Sequence, residues 1–88
     1  MNCAKITVSG KVQGVFFRHN TKLKAIQMGL VGYVKNLADG NVEVVAQGDI
    51  EKINELIEFI RNNPGKARVS DVRLEEMKIR QFIDFGIE

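Results

Sequence analysis

The chain has 88 residues, of which 44% are hydrophobic and 27% are charged, and its formal net charge is +2 at neutral pH. This length and composition are those of one small globular domain, so we expect residues 1–88 to fold as a single unit. The sequence contains neither an apolar run long enough to cross a membrane nor the N-terminal pattern of a signal peptide. We therefore expect a cytoplasmic protein with no membrane partner.

The cysteine and histidine counts exclude two kinds of site. Cys3 is the only cysteine and His19 the only histidine, so the chain can build neither a disulfide nor a zinc site from these residues. Cys3 is typical of a small residue at the start of a strand, and we expect His19 to be a surface residue.

The first half of the chain predicts a strand followed by a helix. Apolar and polar residues alternate over 4–9, which is the pattern of a strand with one buried face. A helix is expected over about 17–28, where Thr21, Ala25 and Met28 recur at helical spacing.

Two strands and a second helix are predicted next. Residues 30–36 and 41–47 are rich in valine, and the Asp39-Gly40 pair between them favours a tight turn, so these strands should be antiparallel neighbours. A helix should follow from Asp49 onward, with an apolar stripe at steps of three and four residues. The stripe consists of Ile50, Ile53, Leu56, Ile57 and Ile60.

The last third of the chain predicts a fourth strand. Pro64 ends the second helix because its nitrogen cannot donate a hydrogen bond, and residues 68–77 resemble a strand. Residues 79–88 fit either an edge strand or an apolar tail. The predicted order βαββαβ is that of an α+β, ferredoxin-like sandwich, with an antiparallel sheet of four to five strands and two helices on one face.

The first crossover, "VSGKVQGVFFR", is the best candidate for a binding site. Gly10 and Gly14 bracket a connection in which backbone N–H groups can converge where the dipole of the helix begins, and this arrangement attracts anions. Arg18 can add a two-pronged grip on phosphate oxygens. No carboxylate side chain occurs before Asp39. Taken alone, the same residues also fit a tight structural turn, with Arg18 as an exposed helix cation.

This stretch resembles the first signature of the acylphosphatases, in which a Gln-Gly-Val triplet, a variable position, an aromatic residue and an arginine follow a strand. The stretch "GYVKNLADGNVEVVAQG" is similar to the second signature of that family. Its matching positions are Gly32, Tyr33, Asn36, Gly40, Val42 and Gly48. The resemblance weakens after residue 62, where Pro64 and Gly65 stand in place of a Gly-Pro pair and Glu88 in place of a basic residue.

The resemblance implies an enzyme that hydrolyses the carboxyl–phosphate bond of acyl phosphates to a carboxylate and inorganic phosphate, without metal or cofactor. We expect a monomer, and inorganic phosphate to act as product or inhibitor. Arg18 and the backbone amides of the preceding loop would hold the phosphoryl group, and Asn36 would orient the attacking water. This phosphate loop comprises Val12, Gln13, Gly14, Val15, Phe16, Phe17 and Arg18. Without the resemblance, Asn36 would equally fit a polar residue at a strand end.

The two adjacent phenylalanines of the loop are expected to point in different directions. Phe17 lies four residues before Thr21 and should join the buried stripe of the helix. Phe16 should face outward or rim the pocket, where it would influence which acyl group is accepted.

Two other functions remain open on the predicted fold. RNA recognition motifs share it and stack bases on sheet aromatics, but Tyr33 is the only aromatic residue in the first three strands, which argues against nucleic acid. The alternative is a regulatory module that binds an anion without catalysis, since fold alone does not determine activity.

Overall fold

The computed structural model describes all residues 1–88 and contains five strands and two helices. They are β1 (Asn2–Lys11), α1 (Phe17–Gln27), β2 (Val31–Asn36), β3 (Val42–Gly48), α2 (Ile50–Arg61), β4 (Arg68–Met77) and β5 (Phe85–Ile87). The predicted βαββαβ order is confirmed, and a fifth strand follows it. α1 ends at Gln27, one residue before the predicted boundary, and Met28 is its C-cap.

The strands form one sheet in the order β4-β1-β3-β2-β5. The first four strands pair antiparallel, as predicted, whereas β5 pairs parallel with β2 and makes the sheet mixed. The difference arises because residues 78–84 carry the chain from β4 at one edge to β2 near the other. The edge-strand alternative is thus confirmed for Phe85–Ile87, and Phe85 also packs into the core, as the tail alternative expected.

The core lies between the sheet and the two helices. Strand residues with their side chains on this inner face are fully buried, among them Ile6, Val8, Val34 and Val44. α1 packs over β2 and β5, while α2 packs over β1, β3 and β4. The apolar stripe predicted for α2 is confirmed for all its members except Ile50, which is 48% exposed.

The outer face of the sheet is partly covered by residues 78–84. Gln47 is buried, its Nε2 donates to the Arg80 carbonyl at 2.7 Å, and the Arg80 N–H donates to Gln47 Oε1 at 2.8 Å. The Arg80 guanidinium then lies over the rings of Tyr33 and Phe82, at 5.8 and 5.0 Å from their centres. Tyr33 is the aromatic residue on which a base of RNA would have to stack, and its ring already contacts Arg80 within the protein.

Cys3 lies on this covered face, at the start of β1, and is buried. Burial raises the pKa of its thiol above the usual value, although the charge of Arg80 opposes the shift. A thiol with a raised pKa is a poor nucleophile, which agrees with a packing role for Cys3.

None of the helices is long and apolar enough to cross a membrane.

Candidate functional site

The phosphate loop is anchored at both ends by buried side chains. Val12 and Phe17 are each 1% exposed, so the segment between them is held against the core. Before the loop, Gly10 lies so close to β4 that an added Cβ would stand 2.2 Å from the Arg68 carbonyl oxygen. Only glycine allows this approach, and it fixes where β1 delivers the chain into the loop.

The two adjacent phenylalanines diverge as predicted. Phe17 is buried in the core, whereas Phe16 is 80% exposed. Phe16 has φ 59° and ψ 23°, the left-handed region that bulky residues rarely adopt, at a cost of about 1–3 kcal/mol. Its carbonyl accepts the hydrogen bond from Asn20 N–H at 3.0 Å, which is the first turn of α1.

The backbone of the phosphate loop offers a run of free donors. None of the N–H groups from Val12 to Arg18 donates a hydrogen bond to a protein acceptor. The first turn of α1 contains no acidic residue, and no side chain caps the helix. Consecutive unpaired N–H groups at the positive end of a helix dipole form a receptor for an anion.

Arg18 extends from the first turn of α1 toward these donors. Its Nη1 donates to the main-chain oxygen of Glu88 at 3.5 Å, a long contact that leaves most of the guanidinium free. Arg18 takes part in none of the three salt bridges of the molecule. Its charge is therefore available to an anionic ligand.

The loop, Arg18 and Asn36 meet around one cavity of about 350 Å³. Its lining consists of Val12, Gly14, Phe16, Phe17, Arg18, His19, Asn36 and Ile87. Asn36 is the last residue of β2, is exposed, and its side chain makes no hydrogen bond within the protein, so it can hold a water or a ligand. No carboxylate side chain lines the cavity.

Gln13 connects the phosphate loop to the turn that follows Asn36. Its Nε2 donates to the carbonyls of Leu37 and Asn41, both at 2.9 Å. Asn41 is held in turn by Asp39, because the Asn41 backbone N–H donates to the Asp39 carboxylate at 3.0 Å. Gln13 and Val15, which were predicted as part of the phosphate loop, are not among the residues that line the cavity, but Gln13 ties the loop to the segment that follows Asn36.

Two lining residues were not among the predicted site residues. His19 is exposed, as predicted for a surface residue, yet it also lines the cavity, because the first turn of α1 lies at the cavity mouth. Ile87 comes from β5. Nothing in the sequence fixes β5 next to β2, so its contribution was not predictable, while His19 was indicated only by its position beside Arg18.

The chain is similar throughout its length to proteins of one family. A family model described as acylphosphatase matches residues 4–87. An acylphosphatase of Acaryochloris marina is 45% identical over 85 residues, which cover 97% of this chain and 91% of that protein.

Solved structures show the same similarity. The structure of an acylphosphatase from Coxiella burnetii superposes with a TM-score of 0.94 at 45% identity, covering 99% of this chain and 92% of that one. The acylphosphatase from Bacillus subtilis superposes with a TM-score of 0.96 at 32% identity, covering 100% and 99%.

Proposed function

The chain belongs to the acylphosphatase family and is an enzyme that hydrolyses acyl phosphates, and from this premise we propose which residues carry the reaction. Arg18 and the N–H groups of the phosphate loop hold the phosphoryl group, and Asn36 orients the attacking water. The observation that supports this assignment is the cavity that Arg18, Asn36 and the loop line together.

The phosphate loop supplies positioning and charge stabilisation. In phosphoryl transfer, negative charge is spread over the equatorial oxygens, and donors already aimed at them lower the barrier without reorganising. The unpaired N–H groups and the Arg18 guanidinium are such donors. An acyl phosphate also has a good leaving group, a carboxylate, so the protein need not supply a strong acid.

The proposed water-orienting residue, Asn36, has a neutral amide side chain. The proton that the attacking water loses must therefore go to the substrate. The Asn36 carboxamide can accept one hydrogen bond from water and direct its oxygen at phosphorus, but it cannot take the proton. A phosphate oxygen of the substrate accepts that proton instead. Holding water and phosphoryl group in line can account for about 7–11 kcal/mol of the barrier.

The residue assignment is tested by hydrolysis of benzoyl phosphate in the presence of EDTA. We expect Arg18→Gln and Asn36→Ala each to lower the rate by about 100- to 1000-fold, the effect of losing one well-aimed donor or holder. Arg61→Gln and Asn54→Ala, which change the same residue types on the exposed side of α2, should leave it unchanged. Full activity of both site variants would refute the assignment.

Proton transfer to the substrate is tested separately, because His19 lines the cavity. A histidine acting as acid or base would produce a limb in the pH–rate profile where imidazoles titrate. We expect the profiles of the parent and His19→Gln to have the same shape. A limb that disappears in the variant would show that His19, and not the substrate, handles the proton.

We further propose that the enzyme acts as a monomer in the cytoplasm, with acyl phosphate as substrate and inorganic phosphate as product and inhibitor. The loop, Arg18 and Asn36 meet around the cavity without a contribution from a second copy, so the proposed reaction requires no dimer, and a lone thiol such as Cys3 suits a reducing compartment. Light scattering of the purified protein at its assay concentration measures the mass. A dimer mass there would contradict the monomer.

A further inference from the structure

We infer that Phe16 and Ile87 make the enzyme selective for acyl phosphates with an apolar acyl group, aromatic ones above all, over acetyl phosphate. The inference rests on the proposed function and extends it from the phosphoryl end of the substrate to the acyl end.

Phe16 and Ile87 are the only apolar side chains of the cavity with area to offer a ligand. Four of the eight lining residues are hydrophobic, but Val12 and Phe17 are 1% exposed and already belong to the core. Phe16 is 80% exposed and Ile87 41%. Apolar surface that is open at a polar binding site is typical of ligand contact.

The Phe16 ring has no partner inside the protein. The ring pair and the cation–π contacts of the structure involve Tyr33, Phe59 and Phe82, and none involves Phe16. The ring is also absent from the core cluster and from the side chains that pack against it. Folding therefore gains little from a phenylalanine at this position.

The backbone of Phe16 strengthens the argument, because its conformation disfavours a bulky side chain. At φ 59° and ψ 23°, glycine or asparagine would fit with less strain. A residue with a strained backbone whose side chain gains no compensating packing energy is characteristic of a functional site.

The two ends of the substrate would meet different surfaces. The phosphoryl group is held by the loop N–H groups and Arg18, so the acyl group is the part left to contact the apolar rim. An acetyl group has one methyl to bury there, whereas a phenyl ring can lie against both Phe16 and Ile87. The difference in apolar contact is expected to appear as a difference in kcat/KM.

The test is the ratio of kcat/KM for benzoyl phosphate to that for acetyl phosphate. We expect Phe16→Asn to lower this ratio about tenfold, within the range seen for lost apolar contacts in specificity pockets. Asparagine tolerates the left-handed conformation, so the loop backbone is kept. A change in the backbone would affect both substrates alike and cancel in the ratio.

Three further variants complete the experiment. Phe16→Tyr retains the ring and should retain the ratio, and Ile87→Thr should lower it less than Phe16→Asn. Leu23→Ser removes an apolar residue of α1 that is 53% exposed and lies outside the cavity, so the ratio should not change. Circular dichroism and urea unfolding show whether each variant is folded.

The outcomes separate the inference from the proposed function. A ratio that falls in Phe16→Asn but not in Phe16→Tyr or Leu23→Ser supports selection by the ring. An unchanged ratio in both Phe16→Asn and Ile87→Thr overturns the inference, even if all variants hydrolyse acyl phosphates. If instead Arg18→Gln and Asn36→Ala keep full activity, the proposed assignment of the phosphate-holding and water-orienting residues fails, whatever the ratio.

Discussion

The two helices have almost the same length, 11 and 12 residues, but their N-termini differ in charge and in backbone. α2 follows Asp49, which is extended, and carries Glu51 in its first turn. α1 follows the left-handed Phe16 and has no acidic residue in its first turn. The helix dipole of α2 is thus complemented by the chain's own carboxylates, whereas that of α1 is left for a ligand.

The helices also differ in how they are held. α2 buries Ile53, Leu56, Ile57 and Ile60 along one face. α1 buries only Phe17, Thr21 and Ala25, and several of its apolar side chains are exposed. α2 is thus held by a continuous apolar face, whereas α1 buries fewer apolar side chains and leaves its positive N-terminus without a carboxylate.

Activity should fall most when α1 receives an acidic residue in its first turn, as α2 has. In His19→Asp, a carboxylate enters the first turn of α1 at the cavity mouth, and its repulsion should lower kcat/KM for acyl phosphates about tenfold. The same carboxylate should leave stability unchanged or raise it by about 0.5 kcal/mol, since it complements the dipole. Activity and urea unfolding measured on one preparation test both expectations, the lower kcat/KM and the unchanged or higher stability.

The matched control for this charge is His19→Asn, which has a similar shape and no charge. It should retain much more activity than His19→Asp, and the gap should narrow as salt is added. Equal losses in the two variants would mean that charge at the α1 N-terminus is not what matters.

α1 also buries a polar side chain, which α2 does not. Thr21 is fully buried, and its Oγ1 has no hydrogen-bond partner. Replacing it with valine, which has nearly the same shape, should raise the free energy of unfolding by about 1 kcal/mol, because a buried unpaired hydroxyl is lost. Thr7→Val, at a half-buried position of β1, should change it less. Destabilisation by Thr21→Val would show that the hydroxyl is satisfied.

The start of α2 should respond more weakly to the loss of its carboxylate. Asp49→Asn removes the charge before this helix but keeps a side chain that can cap it. We expect a loss of about 0.5 kcal/mol in the free energy of unfolding at low salt, smaller at high salt, with no change in activity. A salt-independent loss would indicate a hydrogen bond in place of the dipole interaction.

Most of the fold could be predicted from periodicity and turn chemistry. The alternation in β1 and the stripe of α2 each arise from one buried face, and the Asp39-Gly40 turn connects neighbouring strands. The parallel pairing of β5 with β2 could not be predicted. β5 has only three residues, too few for an alternation pattern that would indicate its partner strand, and its position depends on how residues 78–84 cross the sheet.

The site was predictable to a similar extent. Motif resemblance indicated Arg18 and Asn36, and the structure brings both to one cavity. The role of Gln13 as a link between two loops was hidden, because its partners are carbonyls 24 and 28 residues away, and any residue can supply a carbonyl. A hydrogen bond to a backbone oxygen therefore cannot be predicted from the residue type of the acceptor.

The parallel strand β5 has a consequence for how the molecule folds. Arg18 and Asn36 both precede β3, whereas the apolar side of the cavity combines Phe16 with Ile87, which is distant from it in sequence. Long-range pairing of this kind forms late, because closing a large loop costs entropy that is recovered only when the sheet assembles. We therefore expect the four antiparallel strands to pair before β5 docks on β2, so that the apolar side of the cavity is completed last.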